Sequence, residues 1–376
     1  MDALGKTALS DRDTASLCRQ AAALRDRFWG RTVTYSRKVF APLTNMCRDT
    51  CAYCTFVKHP SDPASNIMRP EDVLALARRG ERHGCKELLF SLGEKPEQRY
   101  ASARQRLAQL GYARMTDYLA DMCALVLSET ALLPHVNAGT LADDEIDQLK
   151  PVSASMGMML ETVSRRLTRK GQPHYACPDK VPIQRLRTLE RAGEKKVPFT
   201  TGLLIGIGET WSERIDALEA INASHLRHGH IQEVIIQNFQ RKPDIAMALH
   251  PEPALDDMLR TIAAARLILA PEISIQAPPN LHARHIAYLG AGINDWGGIS
   301  PITIDHINPQ HAWPQIDRLA ASCAAADFHL AERLTVYPRF IDAQADFVEP
   351  RVAERVAVIA RADGLAQQQQ PVEVAS

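Results

Sequence analysis

The feature that most constrains this 376-residue chain is an alternation running through most of its length: a short apolar run, a polar or glycine-rich turn, then an amphipathic helix. The spacing predicts a first strand over 34–40. It then predicts a helix from Pro70 to His83, with proline in its first turn, Val73, Leu76 and Ala77 on one face, and Gly84 in the left-handed position at its end. Further strands are predicted over 87–91, 132–136, 155–160, 200–205, 234–238 and 273–276, with an eighth within 290–298. Between them fall a helix that Thr116 would cap, one capped by Thr140, and one whose inward face is Ile183, Leu186, Leu189 and Ala192, stopped by Gly193. Two more follow, one beginning at Ser212 and a long one over 254–269. Strands alternating with helices at this spacing make parallel βαβ units, and seven or eight in series favour a closed barrel over an open sheet. The expectation is an α/β fold: one parallel (βα) barrel, TIM-barrel-like, over 34–345, with a helical extension before it (1–33) and a C-terminal helix and tail after it (346–376). The tail from Ala366, with its four consecutive glutamines, reads as disordered.

Polar and glycine-rich residues recur just after the strands: the cysteines that follow the first, then Gly93-Glu94, Asn137, Glu161, the run from Gly206 to Glu209, and Gln237-Asn238. In a parallel barrel these positions lie on the carboxyl-end face, where barrel enzymes assemble their sites. Charge adds little, because 44 basic residues balance 44 acidic ones. That balance argues against a nucleic-acid partner. No apolar run reaches the about 20 residues needed to span a bilayer, and residues 1–20 lack a secretory core, so the expected compartment is the reducing cytoplasm. Five scattered cysteines (Cys18, Cys85, Cys123, Cys177 and Cys323) read as small buried hydrophobes.

The other three cysteines do not. Cys47, Cys51 and Cys54 lie in a C-x3-C-x2-C run directly after the first strand. Soft thiolates this close together hold metal. Spacing alone leaves two readings: an iron–sulfur cluster with one iron left open by the missing fourth ligand, or a structural zinc completed by His59. Zinc sites commonly draw their ligands from two separated clusters that pin a small fold, whereas here all the ligands sit in one loop of a large barrel.

The C-x3-C-x2-C run, with Tyr53 just before its last cysteine, resembles the signature of radical S-adenosylmethionine (SAM) enzymes. The resemblance implies a 4Fe–4S cluster on Cys47, Cys51 and Cys54, with SAM chelating the open iron. One-electron cleavage of the sulfonium would then yield a 5′-deoxyadenosyl radical. It also implies that Gly93 and Glu94 bind the SAM amine and that Gly206, Gly208 and Glu209 lie beside the adenosine, although glycines after a strand serve close packing equally well. Longer blocks, Cys47 to Phe56, Phe90 to Glu97, Pro198 to Thr210, Gln237 to Phe239 and Gly292 to Gly298, are similar to the FO synthase subunit family CofG across about residues 34–315. That family makes the chromophore of a deazaflavin coenzyme. The likeness implies hydrogen abstraction from an adduct of a hydroxybenzyl group and a ribityl-diaminouracil. The adduct would be supplied by the pathway partner CofH, and a reductant would feed the cluster. Ring closure with loss of ammonia would follow.

Within that frame Glu161 is expected to accept the SAM ribose hydroxyls and Tyr53 to contact adenine through its backbone. Arg185 would fork onto the SAM carboxylate, although its place in an amphipathic helix also reads as surface. Asn137, Gln237, Asn238, Asn294 and Asp295 suit a substrate rich in donors and acceptors, and Asp295 or His306 would take the proton during ring closure. His225, His228 and His230 fall before the sixth strand, on the opposite barrel face, and read as surface.

Overall fold

A computed structural model describes Leu9 and residues 12–341 and 346–367. Eight parallel strands close on themselves: β1 (Thr32–Thr44), β2 (Glu87–Leu92), β3 (Leu133–Asn137), β4 (Ser155–Gly157), β5 (Phe199–Ile205), β6 (Ile231–Asn238), β7 (Ser274–Gln276) and β8 (Asp295–Ile299). β1 closes the ring, pairing β2 along one edge and β8 along the other. A ninth strand, β9 (His329–Glu332), pairs with Thr32–Tyr35 on β1, below the stretch from Lys38 that β2 takes.

Side chains alternate across each strand. On β1, Val39, Ala41 and Leu43 face outward and are fully buried against the helix layer. The helix Pro70–Arg82 comes so close that a Cβ at Gly80 would lie 2.8 Å from Val39. The helix Thr14–Trp29 opens with Asp13 accepting from the Ser16 amide and lies along Leu255–Ile268, and its Arg25 donates to the Ile293 carbonyl. At the other end of the chain, Leu334, Val336, Tyr337 and Phe340 join Val352, Val356 and Ile359 of the helix Pro350–Ile359 in a second core under β3 and β4. Among the described residues no helix is long and apolar enough to cross a membrane.

Several local expectations change for physical reasons. Thr140 does not cap the helix Asp143–Leu149; its hydroxyl turns to Glu94, and Ala142 stands at the cap. Thr116 likewise donates to Glu145 rather than capping Met115–Glu129. Gly193 does not stop its helix, which runs from Pro182 to Glu194; a Cβ there would strike the His228 ring at 2.6 Å, so glycine serves a close helix crossing. That helix is also rotated from the expected face: Ile183 is 50% exposed, and Arg185, Thr188, Leu189 and Ala192 point inward. β4 is shorter than 155–160, although Glu161 still bridges to Leu203 beyond its end. Most of the tail lies outside the described residues, but Ala366 and Gln367 are pinned by backbone bonds to Glu332 and Ile359.

Candidate active site

The cysteine loop leaves the carboxyl end of β1 and is tied down on both sides. Gly93 donates its amide to Thr44 O and Arg48 donates to Glu94 O, both at 2.9 Å, while Ala52 donates to Pro173 O at 2.9 Å. A Cβ at Gly93 would lie 2.1 Å from Met46 O, so only glycine lets the end of β2 run against this loop. Cys47, Cys51 and Cys54 all line one cavity at the carboxyl-end face, and among the described residues no cysteine is in a disulfide. Cys47 Sγ accepts from the amides of Glu94 (3.1 Å) and Asp49 (3.4 Å), which favour a thiolate, while burial and the Asp49 charge push the metal-free thiol up to about 12. Cys177, expected only as a small buried hydrophobe, is buried but stands against Cys51 and accepts from the Thr50 amide at 3.4 Å. His59, the fourth ligand a zinc site would require, is exposed, bonds Ser61 and does not line the cavity. Three thiols converging on one cavity with no fourth thiol or imidazole from their own loop fit a cluster that keeps one iron open.

Around the thiols stand buried charges. Glu94 accepts from the Thr140 backbone and hydroxyl and lies 3.7 Å from Arg185. Gly139, at φ +74°, gives that carboxylate its space, since a Cβ there would fall 2.4 Å from it. Arg185 is buried, not on the surface, and donates to Met159 O at 2.7 Å and Asp179 O at 3.1 Å. Glu161 sits at φ +64° and accepts from the Tyr53 hydroxyl and from Lys180, each at 2.5 Å, with His174 3.1 Å away. Burial alone would raise the Glu161 carboxyl, but Lys180, His174 and Arg185 hold it well below the usual carboxylate range. Burial, followed by the Glu161 charge, pushes the Tyr53 phenol well up.

Asp49, Glu94 and Asp179 bring carboxylate oxygens within 4.8 Å of one another. Arg48 clamps Asp179, but Asp49 Oδ2 has no hydrogen-bond partner, and burial with the charges of Glu94 and Asp179 raises the Asp49 carboxyl to about 7. Lys242 also lines the cavity, buried, near Cys54. Asp49, His174, Asp179, Lys180 and Lys242 escaped the sequence reading. Only Asp49 carried a signal, lying between two of the clustered cysteines.

Of the expected site residues, this cavity gathers Cys47, Cys51, Cys54, Tyr53, Gly93, Glu94, Asn137, Glu161, Arg185, Gln237 and Asn238. His306 lines an adjoining cavity deeper in the barrel, its Nε2 without a partner. Five others are not brought to either cavity. Asp295 is the first residue of β8, not a strand end, so it lies at the barrel floor in a bidentate pair with Arg333 (2.6 and 3.1 Å). That geometry removes it as substrate ligand or base. Asn294, just before it, accepts from Arg266 (2.5 Å) and the Ile275 amide (2.8 Å) and donates to Ser274 (2.9 Å), which makes it structural. Gly206 and Gly208 take positive φ, and Glu209 folds back on their loop, accepting from the Gly206 and Ile207 amides (2.8 and 2.9 Å) and from Arg214 (2.7 Å). The loop satisfies itself and does not reach the cavity. The three histidines before β6 are not a surface group either: His225 and His230 are buried.

Comparison with known proteins agrees with this geometry. Residues 41–221 match the radical SAM superfamily. The chain is 49% identical over 388 residues to an FO synthase of Mycobacterium tuberculosis, covering 98% of this chain but only 45% of that protein. It thus spans less than half the length of those FO synthases. To the 7,8-didemethyl-8-hydroxy-5-deazariboflavin synthase of Methanopyrus kandleri it is 49% identical over 311 residues, covering 82% of this chain and 92% of the relative. The fold is similar to that of the hydrogenase maturase HydG from Carboxydothermus hydrogenoformans (TM-score 0.70, 16% identity, 94% of this chain and 85% of that one). It is also similar to methylornithine synthase PylB (TM-score 0.67, 16% identity, 86% and 92%). Membership of the radical SAM superfamily implies a 4Fe–4S cluster and SAM, and the thiol cavity fits both. With near-half identity across almost the whole of the Methanopyrus protein, the chain belongs to the 7,8-didemethyl-8-hydroxy-5-deazariboflavin synthase family of radical SAM proteins.

Proposed function

We propose that this chain catalyses the ring-closing step that gives 7,8-didemethyl-8-hydroxy-5-deazariboflavin (FO). Its substrate is the CofH-type adduct of a hydroxybenzyl group and a ribityl-iminouracil, and ammonia is released. The carrying observation is that three thiols, three acidic groups and unspent amides share one buried chamber above a barrel lumen. The barrel over 34–345 is the working unit, with the helices Thr14–Trp29 and Pro350–Ile359 outside it.

In this reading Cys47, Cys51 and Cys54 hold the cluster and leave one iron to SAM, and the bound pair supplies a 5′-deoxyadenosyl radical for hydrogen abstraction. The protein binds, orients and excludes water. Glu94 and the unpartnered Asp49 Oδ2 would hold the SAM ammonium, and Arg185 and Lys242 are cations in the chamber wall that would meet its carboxylate. Glu161, held ionised by Lys180, retains acceptor capacity for ribose hydroxyls. Asn137, Gln237 and Asn238 are left for the substrate: the amides of the first two make no side-chain bond among the described residues, and Asn238 Oδ1 is unpartnered. His306 replaces Asp295 as the proton acceptor. Burial lowers its pKa and keeps the ring neutral, and a backbone bond to Phe40 orients it. The free thiols suit a reducing cytoplasm, where a reductant would feed the cluster.

The test is turnover by the anaerobically reconstituted, reduced chain with SAM and the adduct. FO and 5′-deoxyadenosine should appear together. Deoxyadenosine without FO would sink the substrate assignment, and a colourless protein holding zinc would sink the cluster.

A further inference from the structure

Parallel barrels are normally filled by branched apolar side chains. Here the lumen beneath the chamber sets charged and polar side chains into an apolar wall that includes Leu89, Met158, Ile235 and Trp296. Lys38 on β1, Glu87 on β2, His135 on β3, Thr200 on β5, Glu233 on β6 and Gln276 on β7 all line the deeper cavity. Ser91, Asn137 and Gln237 border both cavities, so chamber and well adjoin.

The well is built, not left over. Two inward strand positions are glycine where a side chain would collide. A Cβ at Gly298 would come within 2.2 Å of the Lys38 side chain, and one at Gly157 within 2.9 Å of His135 Nε2. Its charges pair internally, Lys38 with Glu87 at 2.7 Å and Glu233 with Arg333 at 2.5 Å, so it does not call for a charged ligand. Hydrogen-bonding capacity nevertheless remains. His135 Nδ1 lies 2.6 Å from the Ser155 hydroxyl, and its Nε2, which makes no hydrogen bond among the described residues, faces the well. Glu87 Oε1 lacks an aligned hydrogen bond despite the nearby ammonium, and the Gln276 amide makes none among the described residues. Off to one side, Phe40 and Trp313 stack at 5.3 Å and 4°, and both line the same cavity.

We propose that this well seats a polyhydroxylated chain, with the flat heterocycle that carries it held higher against Phe40 and the reacting carbon in the chamber above. The inference rests on the function proposed above and adds the orientation of the substrate: ribityl end down, hydroxybenzyl end away from the floor. Each hydroxyl both donates and accepts, which matches a lining that offers ammonium and amide donors beside carboxylate, imidazole and carbonyl acceptors. An aromatic ring pushed into the same well would strand those groups without partners.

The test compares a ribityl-bearing aminouracil with the same aminouracil carrying methyl in its place. Binding to the full chain is read by the fluorescence of Trp296 and Trp313, which line the well. The ribityl compound should bind at least about tenfold more tightly. Gln276→Leu and the near-isosteric Thr200→Val should each erase most of that advantage while leaving the methyl compound's affinity unchanged. Equal affinities, binding of neither compound, or equal losses for both in the two variants overturn the proposal. Turnover separates the two readings. If the wild-type chain closes the ring equally well on ribityl- and methyl-bearing adducts, the seat is wrong and the reaction stands. If it closes the ring on neither while still preferring the ribityl ligand, the reaction is wrong and the seat stands.

Discussion

The floor of the barrel and the chamber at its mouth use the same residue types to opposite ends. At the floor, Arg333 binds Asp295 through two nitrogens and Glu233 through a third contact, and the Tyr337 hydroxyl donates to Glu233 at 2.8 Å. Every carboxylate oxygen there has a hydrogen-bond partner. In the chamber Asp49 Oδ2 and Asn238 Oδ1 are buried with no partner. An unpaired buried polar atom costs stability unless something else meets it, so the floor is organised for the fold and the chamber for a ligand.

The contrast can be broken in either direction. The largest expected effect is on chemistry alone: Cys51→Ala should abolish the visible iron–sulfur absorption and 5′-deoxyadenosine formation while leaving the far-ultraviolet circular dichroism of the barrel intact. Retained SAM cleavage would remove Cys51 from the ligand set. Next, Arg333→Met should leave Asp295 and Glu233 buried without their cation and cost roughly 3–5 kcal/mol in urea unfolding. The variant that still folds should keep the cluster, and a cost under 1 kcal/mol would show the floor to be dispensable.

A third test concerns the wall between the two regions. Burial depresses the His135 imidazole to about 4. A histidine held neutral in the fold and titrating near 6.5 in the unfolded chain contributes stability that is complete above about pH 6.5. That contribution is lost as pH falls toward 4, amounting to roughly 3 kcal/mol at the acid end. His135→Gln should flatten that part of the stability–pH curve, and an unchanged slope would assign it to other groups. Smaller still, Asp49→Asn should lower SAM affinity about tenfold, or 1.4 kcal/mol, with unfolding unchanged within about 1 kcal/mol. If the unfolding midpoint drops instead, Asp49 belongs with the floor. Far from both regions, Asp13→Ala removes the cap of Thr14–Trp29 and should cost about 1 kcal/mol with no effect on catalysis.

Much of this was legible in the sequence, for reasons that also explain the misses. Strands buried on both faces announce themselves as apolar runs, and thiol spacing announces metal. Register does not announce itself: an eighth strand somewhere within 290–298 leaves open where Asn294 and Asp295 stand along it, and β8 begins at Asp295. Apolar periodicity also chose Ile183 as inward when the structure turns Arg185 to the chamber. A buried arginine held by two carbonyls breaks the pattern on which such reading depends. β9 escaped notice altogether, being four residues long and carrying His329 and Glu332.

That ninth strand has a consequence for biogenesis. The eight staves of the barrel are synthesised in order, but the lower part of β1, made before the other seven, finds β9 only after residues 329–332 have been made. Arg333 follows immediately and plugs the base between Asp295 and Glu233. A chain synthesised only as far as residue 328 would therefore carry its whole metal loop but lack the Arg333 that joins Asp295 to Glu233 at the base.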